Sequence, residues 1–381
     1  MEKFIKVLIL LLSAGISSQA SNRDQVDSTA IGDSLMQVFQ FEKAREVYYS
    51  IHRFHPGNQD VLYKLGYCHT QLGNYRDAII YLKESFNLDS TQLNVALQLA
   101  TVHTRVGLME EAGGYYMRLI RLDPENGYYR KLAATSLAAL GKVDEAVIQL
   151  LHAIEFNDMD MESYHQLAKL YFNSGNFELA KKTAHDGLSK NNRNVDLLFI
   201  SARVSFYFKN YTEVINLGIN ATSINKDTSR WNLYMGYSNY FLKQYKESIL
   251  WLNTAVQDKS IGEQGYTYLA NALIKEGDDQ GALVALDKAI IIARDNNLES
   301  NLQNKAILLN NRHKDAEAIS LLEQAYHLER NAPVLFKIGE MYYHQKKYNK
   351  ASSYLNRYQK SGDKVYLKEC ADLLNKLKIK K

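Results

Sequence analysis

The small and apolar positions of this chain recur with a period far longer than one helical turn. Ala44, Ala78, Ala112, Ala146 and Ala180 stand 34 residues apart, and Val214, Ser248 and Ala282 continue the series. After a phase slip of two residues around Asn296 and Asn297, two more units follow, centred on Ala318 and Ala351, so that ten units run from about residue 25 to residue 365. Twelve residues before each of these positions stands Gly32, Gly66, Ala100, Ala134, Ala168, Ala202, Gly236, Ala270, Ala306 or Gly339. Paired small residues at a fixed offset predict two antiparallel helices that approach closely because neither carries bulk at the contact. Each unit is therefore expected to be a helical hairpin. Gly73, Gly107, Gly141, Gly175 and Gly277 fall where a first helix would end in the left-handed conformation that glycine tolerates. Asn74, Asn176, Asn210 and Asp278 follow, suited to opening the second helix, and Pro56 and Pro124 mark loops to the next unit.

The segments LGYCHTQLGNYRDAIIYL (65–82) and LAKLYFNSGNFELA (167–180) carry Leu65, Gly66, Ala78 and Leu82, and Leu167, Ala168, Tyr171 and Ala180. In this the chain resembles the tetratricopeptide repeat family. The resemblance implies an all-α fold, a right-handed superhelical solenoid of about ten helical hairpins, with repeats 1–8 over 25–296 and repeats 9–10 over 299–365. The family's fourth-position Trp is absent, its late Pro survives in two units, Val214 is the largest residue at the second small position, and repeat 9 puts Lys305 at the seventh position. Arrays of this kind need polar covers at their ends. The segment 366–381 is expected to supply one as a capping helix, with Leu367, Cys370, Ala371, Leu374 and Leu377 on one face and Lys elsewhere.

A length of 381 residues exceeds what one compact core usually supports, which agrees with a repeat array. Apolar residues make up 46% and charged residues 23%, and the net charge is +4 without a long block of either sign apart from the terminal KLKIKK. That balance gives no case for a nucleic-acid partner or a membrane surface. The N-terminus, MEKFIKVLILLLSAGISSQA, has Lys3 and Lys6 ahead of an apolar run from Val7 to Leu12, with Ser18 and Ala20 as small residues before a cut after Ala20. Residues 1–20 are expected to be a secretory signal peptide, since the run is about half the ~20 residues that a spanning helix needs; an uncleaved anchor is the other reading. Abundant Asn and Tyr with only 3 prolines suggest an AT-rich bacterial genome, and the protein is expected in the periplasm or outside the cell. Cys68 and Cys370 are the only cysteines and make no disulfide framework.

No phosphate-cradling glycine loop, HExxH or nucleophile elbow occurs in the sequence, so neither an enzyme nor a cofactor is expected. Cys68, His69 and His103 form the nearest approach to a metal set, because the two histidines occupy the eleventh position of adjacent repeats. Histidines replacing a packed Tyr are the simpler account. The acidic run NDMDME (157–162) lacks the glycine and final Glu of a calcium loop and fits helix capping.

In the family, positions two, five, nine, twelve and thirteen of the first helix commonly point into the concave face. The resemblance therefore implies a groove lined by Phe199, Arg203, Phe206 and Tyr207 from repeat 6 and by Arg230, Leu233, Tyr237, Tyr240 and Phe241 from repeat 7. His165, Lys169, Phe172 and Asn173 of repeat 5 would extend it, whereas Phe208 and Tyr211 fall at positions the family uses for packing. An aromatic floor with interspersed cations suits a protein or peptide segment with apolar anchors and acidic character. Three alternatives stay open: positions twelve and thirteen lean into the next repeat and merely widen the core, the ligand is a glycan or peptidoglycan, or the protein is an architectural component of an envelope complex.

Overall fold

The computed structural model describes residues 22–225, 229–293 and 298–379. Among the described residues there are 21 helices and no strands, so the chain is all-α. The expected signal peptide lies outside the described residues, as does the phase slip at Asn296 and Asn297. No helix among the described residues is long and apolar enough to cross a membrane.

The chain divides into two compact units, Met1–Ile200 and Ser201–Lys381, with the boundary inside one helix. Unit 1 comprises α1 (Asn22–Gln37), α2 (Phe41–Phe54), α3 (Gln59–Gln71), α4 (Tyr75–Leu88), α5 (Leu93–Arg105), α6 (Met109–Leu122), α7 (Gly127–Ala139), α8 (Val143–Phe156), α9 (Met161–Asn173), α10 (Phe177–Lys190) and the start of α11 (Val195–Tyr207). Unit 2 holds the rest of α11, then α12 (Tyr211–Ile224), α13 (Ser229–Phe241), α14 (Tyr245–Gln257), α15 (Glu263–Glu276), α16 (Asp279–Ile292), α17 (Leu298–Asn311), α18 (Asp315–Glu329), α19 (Ala332–His344), α20 (Tyr348–Lys360) and α21 (Leu367–Ile379). Within each unit, consecutive helices pack as hairpins and each hairpin stacks on the next.

The small positions are the hinge of this packing. Ala44, Ala78, Ala112, Ala146, Ala180, Ala282, Ala318 and Ala351 are all fully buried. Where the second small residue is Ser248, its hydroxyl donates to the carbonyl of Gly236 at 2.9 Å, so the two helices touch at the twelve-residue offset. The first small position meets a third residue as well: a Cβ built on Gly66 would lie 2.5 Å from Leu82 Cγ, and one on Gly236 would lie 2.6 Å from Leu252 Cγ.

All ten hairpin turns pass through the left-handed region, at Phe39, Gly73, Gly107, Gly141, Gly175, Lys209, Lys243, Gly277, His313 and Lys346, with φ between 59° and 81°. Glycine serves in five of them. The cap expectation holds in part: Asn210 accepts from the Glu213 N–H at 3.3 Å and Asp278 from the Gly281 N–H at 2.8 Å, but Asn74 and Asn176 make no side-chain cap bond. In the acidic run, Asn157 accepts from the Met159 N–H, and Asp160 binds Lys131 at 2.8 Å and the Ser163 hydroxyl. Burial alone would raise the Asp160 carboxyl, yet those partners hold it below the ordinary value.

At the end of unit 2, α21 packs on α20 and α19 through Cys370, Leu373, Leu374 and Leu377. Leu367, expected on that face, is exposed instead, because α21 only begins there and the chain is still leaving a turn. That turn is tied by Tyr358, whose hydroxyl donates to Asp363 at 2.8 Å and accepts from the Tyr366 N–H at 2.7 Å.

Candidate functional site: an aromatic face on unit 2

Eight rings of unit 2 form one connected cluster. Phe206, near the end of α11, lies at its centre, 5.4 Å from Tyr234, 5.5 Å from Tyr211 and 6.2 Å from both Tyr237 and Phe241. Tyr211, the first residue of α12, stacks flat on Phe241 with centroids 4.7 Å apart and planes 12° apart. From α15, Tyr268 meets Tyr237 at 4.9 Å, Tyr240 at 5.0 Å and Phe241 at 5.4 Å, and Tyr245 closes the edge against Tyr240 at 5.7 Å. Edge-to-face and offset arrangements dominate, as the ring quadrupole favours.

The cluster is anchored below and open above. Leu233, Tyr237 and Tyr268 pack against the buried Leu252, Leu269 and Ala270. Phe241 keeps 39% of its surface exposed and Tyr207 55%, the latter edge-on to Phe208 at 5.3 Å. Burial raises the phenols of Tyr237 and Tyr240, and neighbouring tyrosines add to the effect, so both stay neutral across the physiological range. Arg203 on α11 is half-buried and Arg230 on α13 is exposed. The surface is thus a neutral aromatic floor on helices that also carry cations.

The structure brings together Phe206, Leu233, Tyr237, Tyr240 and Phe241 of the residues expected from sequence. Four further rings join them: Tyr211, expected at a packing position, and Tyr234, Tyr245 and Tyr268, which the sequence reading does not name. Their signal was present: Tyr211 and Tyr245 stand 34 residues apart, as do Tyr234 and Tyr268, so each pair holds one position in successive repeats. Phe208, expected to be packed, is 44% exposed, because it is already in the turn that passes through left-handed Lys209.

In unit 1, Phe199 is half-buried on α11. On α9, Lys169 and Asn173 are exposed, Phe172 meets Phe177 edge-on at 5.2 Å, and His165 Nδ1 lies 3.8 Å from Glu162. His69 and His103 both make packing contacts, and only His103 has its Nδ1 satisfied. His103 Nδ1 bonds the Leu99 carbonyl at 2.7 Å, His69 stacks on Tyr81, and burial pushes the Cys68 thiol up to about 12. No three metal-ligating side chains converge among the described residues, and both cysteines are buried free thiols.

Hairpin stacked on hairpin defines a helical repeat fold. Tetratricopeptide repeat profiles match residues 59–92 (α3 and α4), 162–184 (α9 and α10) and 334–361 (α19 and α20). The chain carries tetratricopeptide repeats in these three stretches. It is 38% identical over 78 residues to the TPR repeat-containing thioredoxin TTL4 of Arabidopsis thaliana, covering 20% of this chain and 11% of that protein. It is 23% identical over 270 residues to the TPR repeat-containing protein YpiA of Bacillus subtilis (strain 168), covering 61% of this chain and 64% of that one. The chain thus spans less than two thirds of either relative's length. A solved tetratricopeptide repeat protein from Parabacteroides merdae shares 16% identity over 65% of this chain and 96% of its own, with a TM-score of 0.47.

Proposed function

We propose that this protein is a non-enzymatic binding scaffold that holds a protein or peptide segment on the aromatic face of unit 2. One observation carries the reading: eight rings in one connected cluster, anchored on the core yet leaving Phe241 substantially exposed, with exposed Tyr207 next in sequence to Phe206. Exposed aromatic area of this kind marks an interaction site, because rigid rings contribute contact area at low entropic cost. Arg203 and Arg230, on the helices that supply the rings, favour a segment with acidic residues beside its apolar anchors. Export to the periplasm or beyond belongs to the same proposal and rests on the N-terminal twenty residues of the sequence.

A peptide-library selection on the whole chain, counter-selected with Phe241→Ala, tests it. The expected product is a family of sequences with aromatic or aliphatic anchors flanked by Asp or Glu. Recovery of sequences that bind the variant equally well would overturn the assignment, and capture of glycan chains alone would move it to the sugar class.

A further inference from the structure

Unit 1 contains a cavity of about 480 Å³ between α2 and α4, floored by α3. Its α2 wall is a single helical stripe, Arg45, Tyr49 and Arg53, at intervals of four residues that bring them onto one face. Opposite stands Tyr81 of α4, stacked on His69 of α3 with centroids 5.4 Å apart and planes at 20°. His52 also stands edge-on to Tyr81 at 5.7 Å. The walls are therefore built and braced.

Two features point to a ligand. His69 is only 8% exposed, and its Nδ1 is buried without a hydrogen-bond partner, the nearest acid, Asp77, lying 3.8 Å away. Burial holds this imidazole below its ordinary value, with Asp77 opposing and Arg45 adding to the shift, so it sits neutral with a ring nitrogen unused. Second, neither Arg45 nor Arg53 forms a salt bridge or hydrogen bond among the described residues, although Glu46 and Asp77 line the same cavity. A concavity with two unpartnered guanidinium groups has donors left over, and the unused ring nitrogen adds a further polar atom without a partner. Its volume falls in the range of small-ligand sites.

We propose that this cavity binds a small aromatic oxyanion, a single carboxylate or phosphate carried on a flat ring, with the oxyanion held by Arg45 and Arg53 and the ring lying against Tyr81 and Tyr49. The guanidinium fork matches either oxyanion in bidentate geometry. The flat walls select for a ring, and the carboxylates of Glu46 and Asp77 on the same walls disfavour ligands of higher negative charge.

The test is titration of the full chain with benzoate and with phenyl phosphate, read by calorimetry and saturation-transfer NMR, beside acetate and inorganic phosphate as ringless probes. At least one aromatic probe binds at least tenfold tighter than its ringless counterpart, and which one binds assigns the carboxylate or the phosphate class. In Arg45→Gln/Arg53→Gln that affinity falls at least tenfold while the thermal midpoint stays put. Should the double variant fold poorly, Arg53→Lys serves, because it keeps the charge and loses the fork, and a severalfold loss is expected. Absence of binding by both aromatic probes, equal binding by the ringless ones, or affinity that survives these substitutions overturns the proposal.

Discussion

Adding one methyl group at Gly66 sets two effects of opposite sign against each other. Glycine inside a helix costs about 1 kcal/mol relative to alanine, so on propensity alone Gly66→Ala stabilises. The new Cβ, however, would lie 2.5 Å from Leu82 Cγ and 2.7 Å from its Cδ2, with the Leu82 backbone nitrogen at 3.2 Å behind them. Leu82 is fully buried and Cγ is its branch point, so the side chain cannot swing clear without moving α4. Overpacking of this kind costs about 1 to 3 kcal/mol. The net expectation is a destabilisation of roughly 0 to 2 kcal/mol. An internal control exists at Gly114, exposed in the middle of α6 with nothing within 4 Å of an added Cβ, where alanine should stabilise by the full propensity gain of about 1 kcal/mol. Urea denaturation of the two variants reads the overpacking as their difference, about 1 M in midpoint for a slope near 2 kcal/mol/M. In a Leu82→Ala background the Cγ is gone, and Gly66→Ala should then stabilise as Gly114→Ala does. If Gly66→Ala raises the midpoint as much as Gly114→Ala in the otherwise unchanged protein, the close contact between first and second helices is not what the small positions are for.

Phe208→Ala should change stability by about 1 kcal/mol or less, whereas Trp231→Ala, which empties a fully buried site, should cost about 3 to 5 kcal/mol; urea midpoints of the pair decide, and equal losses would contradict the burial pattern. Asp33 gives a pH dependence: burial would raise its carboxyl, but hydrogen bonds from Lys64 and from Tyr48 (2.5 Å) and the Lys64 charge outweigh this and hold it below the ordinary value. The stabilisation is therefore present above the unfolded value of about 3.9 and lost as pH falls through the folded one, so the urea midpoint should drop less between pH 6 and pH 3 in Asp33→Asn than in the parent. An identical acid limb in both proteins would show that Asp33 contributes nothing.

The repeat array was legible because every hairpin solves the same close-packing problem with small residues in the same register. Even the turns follow that register where the residue does not advertise it, as at Phe39 and Lys243, which take up the left-handed conformation because the two helices demand it. The aromatic site was legible only in part. Positions twelve and thirteen pointed to Phe206, Tyr240 and Phe241 of the ring cluster, but Tyr211 sits at a position used for packing inside its own hairpin, and only the fold shows its ring reaching Phe241 of the next. Phe208 misled for the converse reason: its apolar character suited a core, and the helix had already ended. The cavity between α2 and α4 escaped altogether, since its walls come from three helices and no single repeat position records it.

The central claim is that the aromatic face of unit 2 serves binding and not folding. It is tested most directly by measuring, for Tyr207→Ala and Phe241→Ala, both the affinity for a library-selected peptide and the urea midpoint. An anchor ring at the centre of an interface is worth about 2 kcal/mol or more, roughly thirtyfold in affinity, and these two rings are 55% and 39% exposed in the free protein. The account predicts a thirtyfold loss of affinity for at least one of the two variants with midpoints close to the parent's; variants that unfold early while holding the peptide as tightly as before would contradict it.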